Sequence, residues 1–300
     1  MGVISAIGNS VAENHIALKA GACGIKKNLN LFATKYASEL PFGQVQASTA
    51  FLQKKLNISQ AGITRTSMLA LHAFNEAVAN AGFSATMISA GDTALVGAST
   101  VGGMCLTDEL YADANKNEAG SEYTSSYDCA SVFLYLQQCY GMHGIINTIN
   151  TACSSSANAI MYGALLIKNG FAKRAIVGGS DSLAKFTING FHALHILSNE
   201  KCTPFDEHRK GLNLGEAAAF LVLEKEEDAA EKKIYAELSG YCNANDAYHP
   251  SSLSDQADGP FLSMQGALHS AKIDAAQIDF INAHGTGTGN NDEVESKAMI

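Results

Sequence analysis

Cys153 and His284 are the two side chains in this 300-residue sequence whose type and setting fit them for chemistry on an electrophile. Cys153 lies in Ile149-Asn150-Thr151-Ala152-Cys153-Ser154-Ser155-Ser156-Ala157, where an extended run over 145–151 turns directly into a helix of small residues over 154–168. A thiol at the head of a helix sits at the positive end of the macrodipole, so its thiolate is stabilised and its pKa falls. The backbone N–H groups beside it are also donors for an oxyanion. A cysteine taken alone is more often a buried structural residue. The second feature changes that balance: His284 stands in Phe280-Ile281-Asn282-Ala283-His284-Gly285-Thr286-Gly287-Thr288, an apolar strand that ends in a polar, glycine-rich turn.

The elements that must hold these two residues follow an α/β order. Leu71, Phe74 and Val78 share one face of a helix over 64–81, with Gly82 as its C-terminal cap. A strand over 93–97, a polar loop over 117–126 and a helix over 131–140 lead to the Cys153 strand. A strand over 175–178, a helix over 189–197 and a long strand over 217–224 come next. The charged run 224–228 reads as a solvated junction. After it the pattern starts again, with strands over 235–241 and 278–283 separated by a helix over 260–271.

The segments TACSSSA around Cys153 and NAHGTGT around His284 together resemble those of the β-ketoacyl-ACP synthases, decarboxylating condensing enzymes of the thiolase-fold superfamily. Three further segments stand in the family's order: Gly178-Gly179-Ser180-Asp181-Ser182, Gly190-Phe191-His192-Ala193-Leu194 with Leu197-Ser198, and Thr203-Pro204-Phe205-Asp206 with Arg209-Lys210-Gly211 and Gly215-Glu216. The resemblance covers essentially the whole chain. It implies two pseudo-repeated βαβαβαββ halves in an α-β-α-β-α layering, with residues 1–228 as the half that carries the nucleophilic cysteine and 229–300 as an incomplete second half that carries the histidine. The chain opens inside the family's first segment, whose strand is expected at the centre of the first sheet. It holds no GHxxG segment, where the family carries a second histidine, and none of the segments that supply its lysine. The expectation is a fragment truncated at both ends, inactive and poorly folded on its own.

The same resemblance assigns roles. Cys153 takes the acyl group from an acyl carrier protein, and His284 stabilises the enolate left when malonyl-ACP loses CO₂. Thr286 and Thr288 hydrogen-bond the pantetheine arm, with turn stabilisation as their equal alternative. Phe191 lines the acyl pocket, unless it is a core phenylalanine. No cofactor is implied, because the substrates ride on the phosphopantetheine of the carrier. The partners implied are that carrier and a second synthase copy or a related subunit. Two other functions fit the residues: a non-catalytic subunit of the chain-length-factor kind, which the presence of Cys153 opposes, and a Cys-His acyltransferase that performs no decarboxylation. Fatty-acid and polyene or polyketide pathways are not separated by the sequence.

Composition narrows the setting. With 47% hydrophobic and 16% charged residues the chain can bury a sizeable core. A run of about 18 apolar residues is absent, as is a basic region followed by an apolar stretch at the start, so the expectation is a cytoplasmic protein without membrane insertion. Seven scattered cysteines without a C-x-x-C pair exclude a disulfide framework and a zinc knuckle. A net charge of −9 argues against nucleic acid as a partner, because phosphate neutralisation requires a concentrated basic surface. Docking an acidic carrier against that charge needs a local basic patch, for which Lys54, Lys55 and Arg65 are the candidates, with ordinary solvated surface charge as their equal alternative. Gly285, Gly287 and Gly289 do not make a dinucleotide loop, since Asn290 occupies the position of the fingerprint's third glycine. His192 with His195, and Cys139 with His143, lack the further ligands of a metal site and read as core or pocket-lining residues. Ser154, Ser155 and Ser156 lack a hydrolase setting and serve close helix packing.

Overall fold

Thr93–Ala98 is an uncharged run of small and branched side chains, and all six residues are buried, as a strand covered on both faces must be. The computed structural model describes residues 1–116, 118, 120–121, 123–229, 232–249 and 252–300. In chain order its elements are β1 (Gly2–Ile4), α1 (Val11–Lys19), α2 (Thr49–Lys55), α3 (Arg65–Asn80), α4 (Ala85–Ser89), β2 (Thr93–Ala98), α5 (Thr107–Ala114), α6 (Thr124–Tyr127), α7 (Ser131–Tyr140) and β3 (Ile146–Ile149). They continue as α8 (Ser155–Lys168), β4 (Arg174–Asp181), α9 (Lys185–Ala193), β5 (Ala217–Glu224), α10 (Asp258–Ala271) and α11 (Gly289–Met299). Two compact units result: Met1–Ser38 with Phe42–Gly190 and Leu214–Lys232, and Glu39–Pro41 with Phe191–Asn213 and Lys233–Ile300.

The first unit is a three-layer sandwich built on a sheet of order β1-β5-β4-β2-β3. β2 runs parallel to β3 and β4, while β5 runs antiparallel to β4 and to β1. Alternation along the strands sorts the core onto two faces. Leu95, Ile176, Ala218 and Phe220 join Met68, Leu69, Phe74 and Val78 of α3 and Val132, Phe133 and Leu136 of α7. Ala94, Val96, Ala98, Ala175 and Val177 face Ala159, Leu166 and Ile167 of α8. Each large side chain fully buried this way stabilises the fold by roughly 1.5–3 kcal/mol. Glycines let α8 approach the sheet closely. A Cβ on Gly163 would lie 2.3 Å from Val177 Cγ1, and one on Gly179 would lie 2.4 Å from Ser156 Oγ. Of the small side chains after Cys153, Ser156 therefore lies close against the sheet, while Ser154 is exposed and its hydroxyl donates back to Thr151 O.

Several expectations hold to the residue. α7 and β5 have the predicted bounds, and α3 runs from its cap Thr64 to Ala81, with Gly82 beyond it at φ +66°. Others are corrected. β1 is an edge strand, not a central one; among the described residues it pairs only with β5, and Gly2 is pressed against Ala73 and Ala77 of α3. The helix predicted over 189–197 starts at Lys185 and stops at Ala193, where the chain turns through a left-handed His195 whose N–H donates to His192 O. Glu224 is not solvated, since its side chain is buried and paired with Arg174 Nε at 3.6 Å and with Lys232. Of the loop expected over 117–126, residues 117, 119 and 122 lie outside the described residues, and its end is helix α6.

In the second unit the strands predicted over 235–241 and 278–283 do not form. A strand exists only where a neighbour accepts its ladder hydrogen bonds, and among the described residues of these two segments no ladder occurs. Phe280 is correspondingly 82% exposed. The helix between the two segments does form, as α10, with Pro260 in its first turn, where a missing N–H costs nothing.

Candidate active site

β3 ends at Ile149 and α8 begins at Ser155, so the parallel strand delivers Cys153 to the head of the helix, where the thiol is exposed. The turn is tight. Ala152 has φ +53°, a left-handed conformation that costs a non-glycine residue of order 1 kcal/mol or more. The N–H groups of Ser154 and Ser155 donate to Thr151 O at 3.3 Å and Ala152 O at 3.1 Å. Those two donors close the turn, which narrows the set expected to face a thiolate or an oxyanion. Side chains add to the closure: Ser155 Oγ donates to Ala152 O at 2.6 Å, and Asn158 Nδ2 donates to Thr151 Oγ1 at 2.8 Å.

The ends of the neighbouring strands are tied down as firmly. Asp181, the last residue of β4, accepts from the N–H groups of Thr100 and Val101, both at 2.9 Å, and from the hydroxyls of Ser99 and Thr100. This fixes the loop that leaves β2. Asn150 Nδ2 reaches Cys129 Sγ at 3.5 Å, and burial pushes that second thiol's pKa up, which lowers its thiolate fraction.

His284 belongs to the second unit, where its exposed side chain rises from a turn held by the following helix. Glu295 of α11 accepts the His284 N–H at 2.6 Å and the Gly285 N–H at 2.9 Å. Asp292, one turn earlier, accepts from Gly287 N–H at 3.1 Å and Phe205 N–H at 2.7 Å. Both carboxylates are buried. Gly285 and Gly287 adopt φ +53° and +75°, which lets successive amides point at the acidic pair. Arg209 completes the frame by donating to Thr288 O at 3.2 Å and Gly289 O at 2.9 Å. Thr286 and Thr288 are brought together, their hydroxyls 2.8 Å apart, and Thr286 Oγ1 accepts the Thr288 N–H. Turn stabilisation is thus one role that the two threonines do perform. Phe191 is half-buried in α9. His192 lines a cavity of about 520 Å³ in the second unit with Glu39, Leu40, Ser198, Asn199 and Lys210.

Reasoning from sequence missed Asp292 and Glu295, and it placed Asp181 in a family segment without giving it a role. The signal for the first two was present: two carboxylates three residues apart, in the helix that opens straight after a glycine-rich turn, face the same side. The docking patch needs a correction. Lys54 and Lys55 are exposed at the end of α2, but Arg65 is buried and cannot meet a partner. Its guanidinium pairs with Glu216 at 2.6 Å and donates to Ala47 O at 3.0 Å and Thr49 Oγ1 at 3.2 Å. The seven cysteines form no disulfide. Among the described residues no group of three acidic, histidine or cysteine side chains is arranged to hold a metal, and no helix is long and apolar enough to cross a membrane.

Residues 1–229 match the family profile described as beta-ketoacyl synthase, N-terminal domain, and residues 235–300 match its C-terminal domain. The chain belongs to the β-ketoacyl synthase family. Within it, the putative mitochondrial 3-oxoacyl-[acyl-carrier-protein] synthase of Schizosaccharomyces pombe is 35% identical over 65% of this chain and 49% of its own length. The 3-oxoacyl-[acyl-carrier-protein] synthase 2 of Coxiella burnetii is 29% identical over the whole chain and 75% of its own length. A solved ketosynthase in complex with its chain length factor, from Xenorhabdus doucetiae, superposes with a TM-score of 0.82 at 26% identity, covering 99% of this chain and 73% of that one. The β-ketoacyl synthase chain therefore has the thiolase-like α/β fold of the ketosynthases. It spans 49% to 59% of the length of three of the curated relatives it matches.

Proposed function

We propose that the chain carries the condensing chemistry of a β-ketoacyl-ACP synthase, an acyltransferase reaction in which an acyl-enzyme condenses with malonyl-ACP. The observation that supports this most is the Cys153 turn: an exposed thiol at a strand-to-helix junction, preceded by a left-handed alanine, in a chain of this family. The Cys153 thiolate attacks the thioester carbonyl of an acyl carrier protein, forming a new C–S bond and releasing the carrier thiol. Malonyl-ACP then loses CO₂. The electrons of the broken C–C bond pass into an enolate, whose oxygen receives a hydrogen bond from His284 Nε2–H. The enolate carbon attacks the acyl-Cys153 carbonyl and the Cys153 sulfur leaves, with the backbone N–H of Cys153 among the donors to the passing oxyanion.

In this reading residues 1–228 form the half that supplies the nucleophile and 229–300 the half that supplies the histidine. Thr286 and Thr288 contact the pantetheine arm and Phe191 borders the acyl chain. No cofactor takes part. The protein works in the cytoplasm as a dimer with itself or with a related synthase subunit, as the named pairing of ketosynthase and chain length factor in the solved relative supports. Cys153 argues against a purely non-catalytic subunit. The test is CO₂ release from malonyl-ACP and formation of β-ketoacyl-ACP. Acylation of Cys153 without either product would assign the chain to the Cys-His acyltransferases instead.

A further inference from the structure

We propose that Asn158 and Ser155 of α8 are positioning residues that hold Cys153 at the helix head; the inference rests on reading Cys153 as the nucleophile. The turn needs holding, because Ala152 sits at φ +53°, which an alanine keeps only when its surroundings enforce it. The enforcement comes from the first turns of the helix itself. Ser155 Oγ donates to Ala152 O at 2.6 Å and accepts the Thr151 N–H at 2.8 Å, so one hydroxyl spans the strained residue from both sides. Asn158 Nδ2 donates to Thr151 Oγ1 at 2.8 Å and lies 3.4 Å from Ser154 Oγ, which itself donates to Thr151 O at 2.8 Å.

These bonds are not ordinary capping. Ser154, at the N-cap position of α8, makes no side-chain bond to the helix N–H groups. The hydroxyls and the amide are directed backward into the turn instead. Ser155 and Asn158 are buried, 4% and 8% exposed, so water is poorly placed to replace them. Asparagine inside a helix costs some tenths of a kcal/mol relative to a better helix former, and the bond to Thr151 gives it a reason to be there. Without the brace, Ala152 can relax toward negative φ and carry Cys153 away from the N-terminus of α8. The thiol then loses the helix field that favours its thiolate.

The test is the pH dependence of Cys153 alkylation by iodoacetamide in the full chain, read by mass spectrometry on the Cys153 peptide. Asn158→Leu keeps the shape and removes the donor, Ser155→Ala removes the hydroxyl, and Ser155→Thr restores it. The first two should alkylate about tenfold more slowly at pH 7 with a midpoint moved to higher pH, as about one pKa unit requires. Ser155→Thr should recover most of the wild-type rate. Variants that melt cooperatively and alkylate with the wild-type rate and midpoint would overturn the proposal. If Asn158→Leu does not fold, the Ser155→Ala and Ser155→Thr pair decides. Alkylation needs neither carrier protein nor malonyl group, so a chain whose Cys153 reacts as described yet accepts no acyl group would refute the synthase reading while leaving the brace intact.

Discussion

The Glu295 carboxylate binds the backbone at His284: one oxygen takes the His284 N–H at 2.6 Å and the other takes the Gly285 N–H at 2.9 Å. A buried carboxylate with two amide donors fixes where the chain turns, and so where the imidazole starts from. Glu295→Ala should lower stability by about 1.5–3 kcal/mol, the scale of hydrogen bonds to a charged group, and should slow malonyl decarboxylation by about tenfold or more as the ring loses its alignment. Glu295→Gln keeps one acceptor and should lie between. A folded Glu295→Ala protein with decarboxylation within twofold of wild type would show that the carboxylate serves stability alone.

His284→Ala should act on decarboxylation more than on acyl transfer. Loss of one oxyanion donor slows the step it serves by about 10²–10³-fold. Labelled CO₂ release and acyl-enzyme formation, measured separately, check this. Equal, modest losses in both would mark His284 as structural.

Arg65 and Glu216 make a different prediction. The pair is buried, and Glu216 also accepts the N–H groups of Val45 at 3.0 Å and Leu183 at 3.2 Å, so it joins the start of β5 to the segment after β4. Arg65→Ala strands that carboxylate and should cost about 3–5 kcal/mol in urea denaturation. Reversal of the exposed Lys54 and Lys55 to glutamate should leave the melting temperature within a degree or two and weaken binding of an acidic carrier protein in a salt-dependent way. Carrier affinity unchanged by the double reversal would remove α2 from the docking surface.

This pair also shows where the sequence becomes illegible. α7, β5 and the capped ends of α3 could be read because hydrophobic period and glycine caps are local signals, written within about ten residues of one another. Arg65 is separated from its partner by 151 positions, and a lone arginine near two lysines looks like surface until Glu216 is folded against it. The strands expected over 235–241 and 278–283 failed for a related reason. Their apolar character was read correctly, but a strand is a property of pairing, and the neighbour cannot be read from the segment itself. The turn that carries Cys153 could be read because an extended run meets a helix of small residues there. The carboxylates behind His284 are spaced for detection, but acidic residues early in a helix also serve the macrodipole, so the spacing alone does not name the backbone they hold.

Stability should also respond to mild acid through His72. The ring is buried on α3, with Nε2 2.8 Å from Asn9 O, and burial lowers its pKa below the usual histidine value of 6.5, against a smaller opposing effect of that bond. A folded-state pKa below the unfolded one means the unfolded chain binds the proton more readily. Stability from this group is therefore present above pH 6.5 and falls as the pH drops through the folded value. Urea midpoints at pH 7.5 and 5.5 should differ in the wild type, and His72→Gln should shrink the difference. An unchanged difference would place the acid sensitivity elsewhere.

The measurement closest to the central claim is the site of acylation. After the protein is incubated with an acyl-loaded carrier protein, mass spectrometry should find the acyl group on the peptide containing Cys153, with Cys129 and the other cysteines unmodified, and Cys153→Ala should abolish the label. Acyl transfer that persists in Cys153→Ala, or that settles on another cysteine of the wild-type chain, would contradict the account.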